Sequence, residues 1–306
     1  MSAGHKYLPY SGPVMSELDF FEFIYDRQVI WHKRFVLKEP PPWTDDRILS
    51  RYIFTNVFRE LDKGTQHLIS EVLKRDDLSV EAKLYNALLY RRFNIFGFFG
   101  EIVPKPIADL DPAGWAALIP IFDAHRQSGK NLYSIAYNIC QVPIDKNFRP
   151  KDKHVQLILS VKDAVERRLF CVPSELSADE AFKIMRKAHG VGDFLAYQLL
   201  LDMSYIPGVR ISGLDRFVFV GPGAMGGLEI MGVSRENPAE AVLDLMRRQD
   251  DAFNALGVQR NKHWGLIGRP LVASNIQGSL CEFRKYINLK NDEKSHKKRI
   301  YVRKSV

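Results

Sequence analysis

A Gly-Val-Gly hairpin lies between two helical patterns in the second half of the chain. Apolar residues recur at helical spacing before it, over Ala178 to Ala188, and after it, over Asp193 to Met203. Glycine tolerates positive φ and close backbone approach, so the amides of Gly190, Val191 and Gly192 can point at a phosphate. Such contacts would hold DNA without reading its sequence. A plain helical corner with a glycine cap gives the same pattern.

Three further groups could carry acid–base chemistry. Asp215 follows the hairpin by just over twenty residues, within SGLDRFVFV. Glu282 and Lys285 are three residues apart in SNIQGSLCEFRKYI, a spacing that puts both on one helix face. That segment also contributes the amides of Asn275 and Gln277. Because buried amides and charges are costly unless paired, such clusters indicate a polar network or a site.

The segment PPPWTDDRILSRYIFTNVFRELDKGT is predicted to be helical after its prolines. Thr44 or Asp45 would be its N-cap. Helical spacing would then put Asn56, Arg59 and Lys63 on one face, as a polar wall or as a solvated stripe. The segment YNALLYRRFNIFG repeats this mixture of polar and aromatic residues with a second set: Arg91, Arg92 and Asn94.

A glycine-rich segment follows Asp215. Gly221, Gly223 and Gly226 match G-x-G-x-x-G, and the preceding RFVFV, Arg216 to Val220, is the best strand candidate. A dinucleotide-binding unit requires alternating strands and helices, which this chain lacks, and the sequence contains no Walker A motif. Two interpretations remain: a turn at a helix junction, or a loop whose amides face phosphate oxygens.

The elements that would position these groups are helices. Apolar periodicity indicates the first helix over Glu17 to Leu37. Further patterns cover Ser79 to Asn94, Pro112 to Ser128, Lys153 to Phe170 and Pro238 to Leu256. We therefore predict an all-α fold with two helical lobes around a cleft. The Gly-Val-Gly hairpin followed by Asp215 resembles that of helix–hairpin–helix DNA glycosylases, which implies a similar fold. The predicted divisions are an N-terminal arm (1–16), a catalytic domain (17–286, with the helix–hairpin–helix near 178–204) and a basic tail (287–306).

The amino-acid composition and net charge restrict the kinds of partner and compartment that we expect. The chain has 306 residues, 46% hydrophobic and 26% charged, which is typical of a globular protein. Its net charge of +8 favours a polyanionic partner such as DNA. We find no apolar run long enough to span a membrane and no signal peptide, so we expect an intracellular protein. Three dispersed cysteines, Cys140, Cys171 and Cys281, fit a reducing compartment and exclude a four-cysteine metal site. We expect no metal and no cofactor.

Five blocks together resemble one family, the α-glutamyl/putrescinyl-thymine pyrophosphorylases, or amino acid:DNA transferases, of thymine hypermodification. The blocks are PWTDDRILSRYIFTNVFRELD, ALLYRRFN, HGVG with SGLD, GPGAMGGL and NIQGSLCEFRKY, in order from residue 40 to 286. This family is related to helix–hairpin–helix glycosylases and to the helical domain fused to 5-hydroxymethyl-dUMP DNA kinases. In those glycosylases an Asp placed like Asp215 lies at the mouth of a pocket for a flipped base. Lyase-type members carry a Lys where this chain has Phe194, so a bifunctional glycosylase is not expected.

The resemblance implies a reaction on double-stranded DNA in a phage-infected host, or in a nucleus if the source is eukaryotic. A 5-(pyrophosphoryloxymethyl)uracil loses pyrophosphate, and an amine or amino acid takes its place. Asp215 would deprotonate or orient the amine, with Glu282 as a further acidic candidate. Candidates for holding pyrophosphate are Arg59, Arg92, Lys285 and the Gly221–Gly227 loop. Asn56, Asn275 and Gln277 would bind the uracil edge or the amino acid carboxylate.

Two rival functions stay open. A monofunctional DNA glycosylase would use the same hairpin and Asp215 to labilise the bond between base and sugar. The PWTDDRIL block is the discriminating feature, because glycosylases do not need it. A non-catalytic DNA-binding module is the third hypothesis, and Asp215 beside several Arg and Asn residues argues against it.

Overall fold

The computed structural model describes residues 12–134, 153–259 and 269–291. Over these residues the chain is all-α, as predicted, with one short parallel sheet of two strands. The helices are α1 (Glu17–Trp31), α2 (Arg47–Arg51), α3 (Lys63–Leu68), α4 (Val80–Phe93), α5 (Pro112–Ala116), α6 (Ile119–Gln127), α7 (Lys153–Glu166), α8 (Ala178–Arg186), α9 (Asp193–Met203), α10 (Pro222–Ile230), α11 (Pro238–Ala255) and α12 (Ala273–Asn291), and the strands are β1 (Glu175–Ser177) and β2 (Arg210–Ser212). Short π-type and 3-10 turns occupy His32–Val36, Arg59–Leu61, Ile69–Leu73 and Phe98–Ile102.

The chain divides into two compact units. Unit 1 combines Met1–Arg59 with Val218–Val306, and unit 2 is the continuous stretch Glu60–Phe217. The predicted arm, catalytic domain and tail, like the predicted cleft, stay predictions. Residues 1–11 of the arm, residues 292–306 of the tail and Cys140 lie outside the described residues.

Unit 1 is organised around α1. Ser16 begins this helix with a capping box: its hydroxyl accepts from the amide of Asp19, and the Asp19 carboxylate accepts from the amide of Ser16. The phenylalanines of α1 are buried against aromatic rings of α11 and α12. The ring centres of Phe21 and Phe253 are 5.2 Å apart, and those of Phe23 and Phe283 are 5.4 Å apart. Unit 1 therefore has an aromatic core built from both ends of the chain.

Unit 2 is organised around α4, whose residues are buried on every side. A helix surrounded by protein must pair its charges, because an isolated buried charge is costly. Arg91 accordingly makes a bidentate bond to the fully buried carboxylate of Asp202 on α9, with both N–O distances 2.7 Å. Glu81 accepts from Arg168 at 2.7 Å. Local signals set the ends of α4: Ser79 is its N-cap, and Asn94, with φ of 53°, ends it.

The single helix predicted to follow the prolines is wrong. Neither Thr44 nor Asp45 caps α2; Asp46 does, accepting from the amides of Ile48 and Leu49. After Arg51 the chain is extended at Tyr52 (φ −105°, ψ 150°), and the next helical turn begins at Arg59. Bulky and β-branched residues from Tyr52 to Phe58 favour extended backbone. Asn56, Arg59 and Lys63 therefore do not share a helix face.

Two further local predictions are wrong. The segment Arg216–Val220 is a turn and coil, whereas the strands are β1 and β2, paired from Glu175–Arg210 to Ser177–Ser212. The helix predicted over Pro112 to Ser128 is two helices, α5 and α6. Pro120, near the start of α6, lacks an N–H and would clash with the preceding turn, which explains the break.

Candidate functional site

The predicted hairpin joins α8 to α9 in unit 2. Gly190 has φ of 66°, a conformation that favours glycine, and Val191 is buried beneath the turn. The amide of Val191 donates to the carbonyl of Ala188 at 3.0 Å. Gly192 is the N-cap of α9, and both glycines are exposed. The hairpin therefore exposes Gly190 and Gly192 at the start of α9, whereas the amide of Val191 is already bonded and does not fit its predicted phosphate contact. That the hairpin binds DNA stays a prediction.

Arg92 contacts this hairpin from inside unit 2. Its Nη1 donates to the carbonyl of Gly190 at 2.9 Å, and its Nη2 donates to the carbonyl of His189 at 2.5 Å. The side chain is buried, and burial lowers the pKa of its guanidinium to about 10. These contacts direct both terminal donors of Arg92 to the hairpin, which does not fit the predicted role of holding pyrophosphate.

Asp215 lies in the turn that follows β2, also in unit 2. Its side chain is 60% exposed, with one carboxylate oxygen 3.6 Å from Nε of Arg216. Phe217 packs this turn against both α8 and α9. The centre of its ring lies 5.4 Å from the ring centre of Phe182 and 6.2 Å from that of Tyr197. The Tyr197 hydroxyl also donates to the carbonyl of Phe217 at 3.3 Å. Asp215 is thus held on the same substructure as the hairpin, open to solvent.

Unit 1 contains a small pocket of about 60 Å³. The end of α1, the following π-type turn and the extended segment after α2 form its walls. Two guanidinium groups, several aromatic rings and one amide line it: Arg27, Ile30, Trp31, Arg34, Phe35, Leu49, Ile53, Phe54, Thr55 and Asn56. Asn56 is the one predicted site residue among them.

Side chains from α1 and α12 hold the extended wall of this pocket. Arg27 donates to the carbonyl of Thr55, Lys285 to that of Ile53 at 2.5 Å, and Asn275 to that of Val57 at 3.4 Å. These carbonyls belong to alternate residues, which point the same way in an extended chain. Each bond satisfies a backbone acceptor that a helix would have paired internally. Residues 53–57 of the first sequence block and residues 275–286 therefore meet in unit 1.

The remaining predicted residues of α12 have structural contacts of their own. The carbonyl oxygen of the Asn275 side chain accepts from the amide of Val272 at 3.0 Å, which stabilises the start of α12. Lys285 lies 4.5 Å from the centre of the Phe54 ring and 3.5 Å from Glu282, so Glu282 and Lys285 share a face as predicted. Gln277 is buried on the same helix. Arg59 is half-buried in a 3-10 turn, and the structure does not place it at the pocket.

The glycine-rich loop prediction is wrong, because Pro222–Ile230 is helix α10 with Gly221 as its N-cap. The inner glycines pack against α12. A Cβ at Gly223 would meet Cys281, one at Gly226 would meet Arg284, and one at Gly227 would meet the backbone of Leu280. These glycines are explained by close helix packing rather than by phosphate binding.

Sequence reasoning missed Arg27, Trp31 and Arg34, although the signal was present. They recur at intervals of four and three, which places all three on one face of a helix. Arg34 lies over the rings of Phe35, at 4.9 Å, and Trp43, at 5.0 Å. Cations stacked on aromatic rings are positioned while keeping N–H groups available for an anion.

Asp26, the neighbour of Arg27, was missed as well. Burial first, and then the nearby carboxylates of Glu22 and Asp46, together raise the pKa of this carboxyl to about 6. Asp46 also accepts from the Tyr286 hydroxyl at 2.7 Å, and burial followed by this bond raises the pKa of Tyr286. The carboxyl of Asp26 therefore changes charge near neutral pH, as a proton acceptor would need to.

We predict that Asp26→Asn stabilises the protein at pH 7.5 but not at pH 4. The folded state holds the Asp26 proton up to about pH 6, whereas an ordinary Asp carboxyl ionises near 3.8. The wild type therefore loses stability as the pH rises through this window, and Asn cannot ionise. Allowing for partial exposure, we expect a gain of roughly 1 kcal/mol at pH 7.5. Urea unfolding at both pH values measures it; an equal gain at pH 4 would contradict this cause.

The described ranges, 12–134, 153–259 and 269–291, contain no group of three or more His, Cys, Asp or Glu side chains arranged to hold a metal ion. None of the helices within these ranges is both long enough and apolar enough to cross a membrane. Cys171 and Cys281 are free thiols.

The chain matches the family model described as the helical domain of 5-hmdU DNA kinase over residues 15–296. A 5-hmdU DNA kinase of Bacillus phage SP10 is 26% identical over 309 aligned residues, which cover 94% of this chain and 47% of that protein. The chain thus spans about half the length of this relative. No solved structure matches it. The predicted relation to the helical domain of 5-hydroxymethyl-dU DNA kinases is confirmed. Membership among the amino acid:DNA transferases stays a proposal. By the match over residues 15–296, the chain belongs to the family of 5-hmdU DNA kinase helical domains.

Proposed function

We propose that this chain is a DNA base-hypermodifying transferase that replaces the pyrophosphate of 5-(pyrophosphoryloxymethyl)uracil with an amine. The longer phage relative is named for a kinase that acts on 5-hmdU DNA. This chain aligns with the helical part and has no Walker A motif with which a P-loop kinase would hold a nucleotide. We therefore assign it the step after phosphorylation.

The observation that carries the proposal is the unit 1 pocket, whose wall carries the guanidinium of Arg34 stacked on the rings of Phe35 and Trp43. A departing diphosphate gains negative charge, and positioned guanidinium groups stabilise such charge. Aromatic walls at Trp31 and Phe54 suit a planar pyrimidine, and the amide of Asn56 suits its polar edge. Lys285 supports this wall through the Ile53 carbonyl, so we give it a positioning role.

The reaction balances without any additional reagent. The amine lone pair forms a C–N bond to the 5-methylene carbon, and the C–O bond breaks with its electrons leaving on pyrophosphate. The ammonium form of the amine must first lose a proton, which we assign to Asp215. The hairpin Gly190–Gly192 would hold the duplex backbone, leaving the modified base free to leave the stack.

A duplex carrying one 5-(pyrophosphoryloxymethyl)uracil tests the function. Incubated with the protein and a panel of amines, it should release pyrophosphate only when an amine is present, and nucleoside mass spectrometry should show the C–N product. The bond between base and sugar should stay intact. Alkali-labile sites without pyrophosphate release would instead support the glycosylase hypothesis. The absence of both products would support the third hypothesis, a non-catalytic DNA-binding module.

A further inference from the structure

Arg92 is a buried cation whose hydrogen-bond acceptors are neutral. Its two terminal nitrogens donate to two neutral carbonyl oxygens, those of His189 and Gly190. No carboxylate within the described residues pairs with it, and its Nε is buried without a hydrogen-bond partner there. Burying a guanidinium in this way is costly. The neighbouring Arg91, in contrast, is neutralised by Asp202.

The contacts of Arg92 also determine the direction in which the hairpin amides point. The C=O and N–H of a trans peptide point in opposite directions. Because Arg92 draws the carbonyls of His189 and Gly190 inward, the N–H groups of Gly190 and Val191 point away from it. The amide of Val191 is used by the carbonyl of Ala188. The amide of Gly190, on an exposed residue, has no acceptor among the described residues.

We propose that Arg92 is a positioning residue that orients the Gly190 amide, and with it the hairpin, for a DNA phosphate. This inference rests on the proposed action on DNA. Arg92 is too deeply buried to contact a phosphate itself, being only 4% exposed. Its charge nevertheless polarises both peptides, since a cation on a carbonyl strengthens the opposite N–H as a donor. The exposed start of α9, capped by Gly192, adds further amides next to the hairpin in sequence.

Affinity for an unmodified duplex across a salt series tests the inference, using Arg92→Gln, Gly190→Ala and the double variant. We expect each single change to weaken binding about tenfold, the size of one lost charge-assisted bond. Because Arg92 acts through Gly190, the double variant should bind no more weakly than the weaker single variant. Gly190→Ala is strained at its φ of 66°, so it disturbs the same turn directly.

Arg91→Lys is the matched control, since it changes the adjacent buried arginine without touching the hairpin. Its affinity for DNA should stay within twofold of the wild type. If Arg92→Gln fails to fold, Arg92→Lys replaces it. A single ammonium nitrogen cannot reproduce the planar fork of two nitrogens that holds the two carbonyls, so this variant should still weaken binding several-fold.

Additive losses in the double variant, or an unchanged affinity in the Arg92 variants, would overturn the positioning role. A wild type that does not bind DNA in a salt-dependent way would instead overturn the proposed function itself.

Discussion

Asp215→Asn is expected to lower the rate of pyrophosphate release by about 10²–10⁴-fold, the usual cost of removing a general base. The amide keeps the shape of the side chain but cannot accept the proton of the incoming ammonium. Because Asp215 is 60% exposed on a turn held by Phe217, the substitution should leave the fold and DNA affinity unchanged. Single-turnover release of pyrophosphate, measured at saturating amine, reports the chemical step directly.

Asp179→Asn is the matched control for this experiment. Asp179 is also 60% exposed in unit 2 and also lies beside a cation, Lys183, but it is on α8. It should retain full activity. Raising the pH should partly restore the Asp215→Asn variant, since more of the amine is then already neutral. Full activity of Asp215→Asn at neutral pH would move the proton acceptor to Asp26 or Glu282.

Gly227→Ala is expected to destabilise the protein by roughly 3 kcal/mol, because overpacking against backbone cannot be relieved by a rotamer change. A Cβ at this position would lie 2.8 Å from the carbonyl carbon of Leu280 and 3.0 Å from its Cα. Helix α10 would have to move away from α12. Urea unfolding followed by circular dichroism measures the difference in free energy of unfolding.

Gly278→Ala tests the same kind of change in the partner helix. Gly278 is inside α12, and a Cβ there would meet nothing within 4 Å. Alanine should stabilise the helix by roughly 0.5–1 kcal/mol because glycine is a poor helix former. The two substitutions should therefore have opposite signs. Equal effects would contradict the close approach of the two helices at Gly227.

The sequence predicted those helices whose ends are determined locally. The caps of α4, Ser79 and Asn94, and the Ser177 cap of α8 act within a few residues, so the pattern contains the information. The same holds for α9 after the hairpin and for α11 after Pro238.

Other segments are determined by partners far along the chain. The extended stretch from Tyr52 to Phe58 depends on donors from Arg27 and Lys285, which no local pattern indicates. The glycines of α10 have poor helix propensity, yet packing against α12 outweighs it. The sequence predicts Arg92 as a pyrophosphate ligand, whereas the fold directs its donors to the hairpin carbonyls.

The division of unit 1 between the two ends of the chain has a consequence for its synthesis. Arg27 and Ser279, which bond at 3.3 Å, are 252 residues apart, whereas unit 2 is continuous. At roughly 5–20 residues per second, the ribosome needs about 13–50 s between them. Unit 2 can fold during that interval. The phenylalanines of α1 cannot yet be buried, because their partners from α11 and α12 have not been synthesised. The nascent chain therefore exposes an aromatic helix throughout this interval, which makes α1 the expected binding site for a chaperone.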